Sequence, residues 1–401
     1  MIGAIFQLFW VTLSVARADC TVIDGADVYF SDGHRIASVA IVDGRISTTI
    51  PATCTRMAGQ GRVLTAGLIE SSSEIGITEI DQEDATTDGD GGDGDPIRAA
   101  LRVADAYNPR STIIPVVRIG GVTSAVVHPS GGLVSGQSAF VDLAGATQAE
   151  TVRDPSVAMR AGLGAHASRA SDFLALTQIL DEARRYGRSP SRWAKTGPAI
   201  AGVTALDLKA LQSVLSGLTP LVLGVDRAVD IERTLRFARE QQIRVIVHGG
   251  AEAWLLAADL AVAKIPVILD PLVYGAGSFD QVHGRPENAA LLDKAGVKVI
   301  IASFQTHNAR TLRQVAGNAV RAGLPHEAAI RAITRNPAEA FGQPDHGRIS
   351  DGVVANVVLW SGDPLENLTR VEAVWIGGRP ILLESRQTEL LKKYRKIPVS
   401  R

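Results

Sequence analysis

The stretch VLTAGLIES, from Val63 to Ser71, is an apolar run that ends in a glutamate and a serine. Five similar apolar runs follow it, at 122–130, 219–226, 243–249, 265–271 and 297–303. Continuous apolar strands of this kind are typical of a parallel sheet that is covered on both faces. The helical patterns fall at 170–186, 205–216, 228–241, 251–263, 287–295 and 308–323. This alternation predicts an α/β protein with helices packed around a parallel sheet.

The number of strands favours a closed sheet. Six clear strands, together with one or two more between residues 131 and 200, would complete a (β/α)8 barrel of the TIM type over residues 63–343. A doubly wound open sheet is the alternative. The sequence has no Gly-x-Gly-x-x-Gly after a strand, so nothing indicates a dinucleotide site.

The two ends of the chain differ from this middle part. Residues 19–62 hold short β-rich runs broken by Asp-Gly turns, and residues 344–385 repeat that style. We therefore expect both ends to combine into one composite β-sandwich. Residues 386–401 form a basic C-terminal tail.

The net charge of the chain bears on its binding partners, and its N-terminal residues bear on its cellular location. The formal net charge is −1, which gives no global field for nucleic acid or an anionic membrane. Residues 2–15 are uncharged, and Ala16-Arg17-Ala18 follows as a cleavage motif. The run is shorter than the ~20 residues of a membrane span. We expect a signal peptide at 1–18, cleaved after Ala18, and a secreted or periplasmic protein without stable membrane insertion. A buried N-terminal helix is the alternative.

The only two cysteines, Cys20 and Cys54, lie in the segment after the signal peptide. An exported protein meets an oxidising compartment, so a disulfide between them is expected. Two free buried thiols are the alternative.

Barrel enzymes place their chemistry at the C-terminal ends of the strands. The polar residues at or just beyond such ends are Glu70, Ser72, Glu74, His128, Asp226, His248, Asp270 and His307. Carboxylates and a histidine that meet at one rim would hold a divalent cation. Each residue also has a structural interpretation: Asp226 could cap a helix, Asp270 could belong to a turn, and each histidine could serve as a hydrogen-bonded structural residue.

Several motifs resemble one known family. RVLTAGLIESSSEIG is similar to the first barrel strand of the amidohydrolase superfamily, in its imidazolonepropionase-like branch, whose members carry V-x-P-G-L-I-D-x-H-x-H. The resemblance continues through DPIRAALRVADAYNP, GGVTSAVVHPSGGLVSGQ, AAIRAITRNPAEAFG and GRISDGVVANVVLWSGDPLE. It implies a (β/α) barrel with a composite β-sandwich. It also implies hydrolysis of C–N bonds in cyclic amides, amidines or small peptides with one or two divalent metals.

The same alignment implies that most metal ligands are substituted. Ser72 and Glu74 stand at the two histidines of H-x-H, and Glu70 replaces the preceding aspartate. The next histidine position falls at Gly224 or Asp226, whereas His248 is kept. The late aspartate, which serves relatives as ligand and general base, falls at Phe304 or Gln305. A serine hydroxyl cannot replace an imidazole as a zinc ligand.

Three functions follow from these substitutions. The first is an exported amidohydrolase-family protein with a degenerate binuclear site, weakly active or non-catalytic, which serves as a binding or assembly component or is a vestigial scaffold. Its partner would be a small-molecule ligand or substrate. The second is a hydrolase of small cyclic amides or dipeptides, with one divalent ion on Glu74, Asp226 and His248 and with Glu70 or Asp270 as base. The third is a metal-free hydrolase that uses Glu74. The cofactor is thus no metal or one divalent ion.

Substrate contacts are expected from Ser72, His128, His307, Asn308 and Arg310, the last through its guanidinium fork. A packing role at the start of a helix is the alternative for Asn308 and Arg310. A homo-oligomer is compatible with the sequence, which does not fix the oligomeric state.

Overall fold

The structure is a computed structural model that describes residues 20–90, 96–164, 168–275 and 277–395. The predicted signal peptide lies outside these residues. The described strands fall into two eight-stranded sheets. The first sheet holds β1 (Cys20–Phe30), β2 (Gly33–Val42), β3 (Arg45–Ser47), β4 (Thr55–Ala58), β5 (Val63–Ala66), β14 (Val357–Trp360), β15 (Val371–Ile376) and β16 (Arg379–Pro380).

The second sheet has its strands in sequence order around the core of the molecule. They are β6 (Leu68–Ser73), β7 (Val122–Val127), β8 (Val134–Asp142), β9 (Val152–Gly162), β10 (Leu221–Val225), β11 (Val245–Gly249), β12 (Val267–Leu269) and β13 (Val299–Ile301). Five of the six predicted strands are present as single strands, and β8 and β9 supply the two expected between 131 and 200. The predicted strand at 63–71 is divided at Gly67, because β5 belongs to the first sheet and only β6 to the second. The prediction of an all-parallel sheet is wrong for β8, which runs antiparallel to both β7 and β9.

This second sheet is nearly closed into a barrel. At its two edges, Glu70 of β6 accepts hydrogen bonds from the backbone N–H of Ser303, just beyond β13, at 3.1 Å and from its hydroxyl at 2.6 Å. A separate cluster of alternate strand residues, including Ile69, Val126 and Ile300, fills part of the core. The architecture is that of a nearly closed (β/α) barrel with one reversed strand.

Helices lie around the barrel, largely where periodicity predicted them. They are α1 (Ile113–Arg118), α2 (Gln148–Thr151), α3 (Arg169–Arg188), α4 (Pro190–Thr196), α5 (Ala205–Ala210), α6 (Gln212–Leu215), α7 (Ala228–Gln241), α8 (Ala257–Ala263), α9 (Asn288–Lys294), α10 (Leu312–Arg321), α11 (His326–Ala332), α12 (Arg335–Ala340) and α13 (Arg386–Tyr394). No helix of the described residues is long and apolar enough to cross a membrane.

The two chain ends are joined in the first sheet, because β14 pairs antiparallel with β5. One continuous sheet is observed, and its packing as a sandwich stays a prediction, as do the domain boundaries. The Cys20–Cys54 disulfide is confirmed. It closes a loop that contains β1, β2 and β3, and it ties the start of β1 to the turn before β4.

Candidate functional site

A cavity of about 320 Å³ opens at the C-terminal ends of the barrel strands. Its lining includes Ser72, Ser73, Glu74, His128, Ser135, Arg160, His248, Phe304 and Thr306. Ser135 reaches the same rim from the start of β8, because that strand runs in the opposite direction. The cavity is large enough for a small molecule.

His248, near the end of β11, has both ring nitrogens engaged. An Nη2 of Arg160 lies 3.1 Å from its Nδ1, and the Ser72 Oγ lies 2.7 Å from its Nε2. A guanidinium only donates hydrogen bonds, so Nδ1 is the acceptor. Burial, and then the charge of Arg160, lower the pKa of His248 well below 6.5. The ring is therefore neutral, and Nε2–H donates to Ser72.

Arg160 lies near the end of β9, with its guanidinium among neutral acceptors. Its Nη1 donates to the carbonyls of Ala161 at 3.0 Å and Val222 at 3.3 Å. A Cβ atom on Gly224 would lie 3.3 Å from its Nη2, so glycine on β10 leaves room for the guanidinium. Burial lowers the pKa of Arg160 to about 10. The side chain thus places a permanent positive charge beside His248.

Phe304 follows β13 at one of the two positions that the resemblance gives to the late aspartate. Its φ is 53°, a left-handed conformation that costs roughly 1 kcal/mol or more for a residue with a side chain. Its ring lies 4.7 Å from the ring of His248, centroid to centroid. An aromatic ring thus lies over the histidine and cannot act as a base there.

Two buried groups support this rim. His128 has its Nε2 3.0 Å from the carbonyl of Ser71 and its Nδ1 2.7 Å from the Ser138 hydroxyl. Burial, with the charge of Arg160 second, lowers the pKa of His128 to about 3. The ring of His128 lines the cavity, and it is neutral with both nitrogens hydrogen-bonded.

Glu70 lies buried in the barrel wall. Burial raises its pKa to about 7, although hydrogen bonds from Ser303 and Ser72 act in the opposite direction and lower it.

The predicted metal triad of Glu74, Asp226 and His248 is not formed. No three His, Cys, Asp or Glu side chains of the described residues come together as a metal-binding group. Asp226 instead accepts hydrogen bonds from the backbone of Ala251 at 3.1 Å and the amide of Gln281 at 3.1 Å. Its carboxylate occupies the space where Gly249 would carry a Cβ atom, 2.5 Å away. Asp226 therefore fixes the loop after β11, next to His248.

Asp270 and Glu74 differ in their access to the cavity. Asp270 accepts a hydrogen bond from the backbone of Leu272 at 2.8 Å, as a turn residue does, and burial raises its pKa. It is not among the described residues that line the cavity. Glu74 does line it, and its Oε2 accepts a hydrogen bond from Thr78 at 2.8 Å.

The three other predicted contact residues lie outside the cavity lining defined by the described residues. The Nε2 of His307 donates to the carbonyl of Glu79 at 2.8 Å, which holds the acidic segment against the barrel. Asn308 begins the short turn that leads into α10, and its carbonyl accepts from Thr311. The backbone of Arg310 packs against Gly120, where a Cβ atom would lie 2.3 Å away.

The residues present do not fit the family's metal. A hydroxyl stands at Ser72, a glycine at position 224 and an aromatic ring at Phe304. The lone pair on His248 Nδ1 already accepts from a guanidinium, whose positive charge opposes a second cation. At the barrel mouth, His248 therefore contacts the guanidinium of Arg160 in place of a metal ion.

Arg160 is a site residue that was not predicted from the sequence. The sequence pattern that could have indicated it is VAMRAG, residues 157–162, where a single arginine stands near the end of an otherwise apolar run. An arginine at such a position lies inside a barrel only if it serves the site or has a partner.

The fold and the location of the cavity define the class: a (β/α) barrel with its polar groups at the C-terminal rim. Residues 268–382 match the model of the amidohydrolase family. "Amidohydrolase tasK" of Hapsidospora irregularis is 22% identical over 382 residues, which cover 84% of this chain and 38% of that protein. The chain thus spans well under two thirds of the length of this relative.

Solved structures agree on the fold. An amidohydrolase from Thermotoga maritima MSB8 superposes with a TM-score of 0.82 at 23% identity, over 90% of this chain and 99% of that one. A prolidase complexed with N-methylphosphonate-L-proline has a TM-score of 0.55 at 16% identity, over 90% and 99%. The resemblance to the amidohydrolase superfamily is confirmed by the family model over residues 268–382 and, in the fold, by these solved structures.

Proposed function

We propose that this chain is an exported amidohydrolase-superfamily protein whose barrel mouth binds a small molecule without the family's binuclear metal centre. The hydrogen bond from Arg160 to Nδ1 of His248 carries the proposal, because it places a fixed cation on the one histidine that the resemblance retains. Such a protein is weakly active or non-catalytic toward C–N bonds. The disulfide supports the proposed secreted or periplasmic location.

The close pair of Ser72 and His248 does not form a nucleophile and its base. A histidine base needs a free lone pair on the nitrogen that faces the hydroxyl, and a partner that accepts from the other nitrogen. Here Arg160 donates to Nδ1, so the hydrogen on Nε2 points at Ser72. The low pKa of His248 also disfavours proton uptake. Ser72 therefore stays an unactivated hydroxyl that a ligand can contact.

A second candidate is metal-free hydrolysis with Glu74 as general base. Glu74 lines the cavity, and it forms no ion pair with any described residue. A carboxylate within reach of a bound substrate and water is the minimum that general-base catalysis requires.

Hydrolysis assays separate these functions. A screen of dipeptides, lactams and cyclic ureas, with and without added Zn²⁺ or Mn²⁺, is expected to give no metal-stimulated turnover. Glu74→Gln and His248→Ala are the test variants, and Arg35→Ala, at an exposed arginine of β2, is the matched control. Metal-stimulated turnover that His248→Ala abolishes would contradict the proposal. Metal-independent turnover that Glu74→Gln abolishes would establish the second candidate instead.

A further inference from the structure

Arg160 carries a positive charge that forms no ion pair with a carboxylate of the described residues. Its recorded hydrogen bonds go to two carbonyls and to the neutral ring of His248. None of the ion pairs within the described ranges includes it. An uncompensated buried charge is costly, and a guanidinium cannot lose its proton at neutral pH to relieve that cost.

Part of the guanidinium remains available for a ligand. The guanidinium has five N–H groups, and it makes two hydrogen bonds through Nη1 and one through Nη2. The N–H of Nε and the second hydrogen of Nη2 have no partner among the described residues. Adjacent guanidinium donors of this kind match the two oxygens of a carboxylate. Because Arg160 lines the cavity, an anion can reach this edge.

A second, independent observation points to the same ligand. The hydroxyl of Ser73 is buried without a hydrogen-bond partner in the described part of the chain, although Ser73 lines the cavity. Only 6% of the residue is exposed. Buried hydroxyls usually have a partner, so an unpaired one at a cavity wall indicates a group that is supplied from outside the protein.

We propose that Arg160, with Ser73, forms a subsite that binds the carboxylate of a small organic acid at the barrel mouth. The negative charge of Glu74, which lines the same cavity, disfavours a second anionic group on the ligand and favours a positively charged one. The ligand class is therefore a small monocarboxylate, with zwitterions preferred. This proposal rests on the proposed function in one respect: both place a small molecule in the cavity at the barrel mouth.

Equilibrium binding tests the subsite without turnover. We would titrate the folded protein, in buffer with EDTA, with glycylglycine and with glycylglycine amide, which lacks the carboxylate. Glycylglycine is expected to bind and its amide to bind on the order of 10- to 100-fold more weakly, as loss of a charged hydrogen bond predicts. Equal affinity for the two compounds, or no binding of glycylglycine up to on the order of 10 mM, would overturn the proposal.

Variants assign the effect to the residues. Arg160→Met nearly keeps the volume of the side chain and is expected to lower the affinity for glycylglycine on the order of 10- to 100-fold. Arg160→Lys keeps the charge and is expected to retain part of the affinity. Ser73→Ala removes only an unpaired hydroxyl, so the fold is retained, and it should weaken binding several-fold. Arg35→Ala, at an exposed arginine of β2 that pairs with Asp32, is the matched control and should bind as the parent does. Unchanged binding by both Arg160→Met and Ser73→Ala would refute the subsite. Because the assay needs neither metal nor catalysis, its outcome is independent of the hydrolysis assays.

Discussion

Replacement of Asp142 by alanine is expected to lower the free energy of unfolding by about 3–5 kcal/mol, the usual cost of breaking a buried charged pair. Asp142 ends β8 with no exposed surface. It accepts hydrogen bonds from Arg153 at 2.6 Å, Ser124 at 2.8 Å and Asn356 at 2.8 Å, and His346 lies at 3.2 Å. These donors come from the barrel and from the segments before β14, so the carboxylate joins the barrel to the first sheet.

Urea unfolding at neutral pH measures this loss. Burial alone would raise the pKa of Asp142, but hydrogen bonds from His346 and its other partners lower it, so the carboxylate is charged and its stabilisation is lost only on acidification. Asp105→Ala is the control, because Asp105 pairs with Arg102 at an exposed site and should cost about 0–1 kcal/mol. Equal losses for the two variants would contradict the role of the Asp142 network.

The second large effect concerns pH. Burial raises the pKa of Glu70 from 4.5 to about 7. The unfolded chain releases this proton near pH 4.5, whereas the folded protein keeps it until about pH 7, so stability falls as pH rises between these values. At about 1.4 kcal/mol per pKa unit, the loss is roughly 3 kcal/mol.

Glu70→Gln should remove this dependence, because an amide resembles the protonated acid. Relative to the parent, the variant is expected to gain roughly 3 kcal/mol of stability on going from about pH 5 to about pH 8. Asp84→Asn, at an exposed position, controls for the loss of a surface carboxylate. A parallel pH profile for Glu70→Gln and the parent would show that Glu70 ionises normally in the folded state.

The barrel could be predicted from local patterns. Strands such as β10 and β11 are buried on both faces, so their apolar runs are continuous, and α7 follows its amphipathic pattern over the predicted residues. The reversal of β8 was not predictable, because an apolar strand carries no signal for its direction. The pairing of β14 with β5 was inferred only from similar composition, since hydrogen bonds between distant segments leave no periodicity in the sequence.

The position of some candidate residues at the barrel mouth was predicted, but the contacts between their side chains were not. Ser72, Glu74 and His248 are at the cavity as expected from strand ends. The sequence could not show that Asp226 turns toward the loop after β11, nor that Arg160 approaches His248, because these contacts depend on side-chain direction across neighbouring strands. Gly224 and Arg160 are informative only as a pair, since the missing side chain of one makes space for the other.

The central claim is that Arg160 holds the position on His248 that a metal would need. The most direct test is metal quantification on protein purified without chelator, incubated with excess Zn²⁺ and then desalted. We predict far less than one equivalent of retained transition metal, with Arg160→Met retaining no less than the parent. One or two equivalents of zinc, retained by the parent and lost in His248→Ala, would contradict the account.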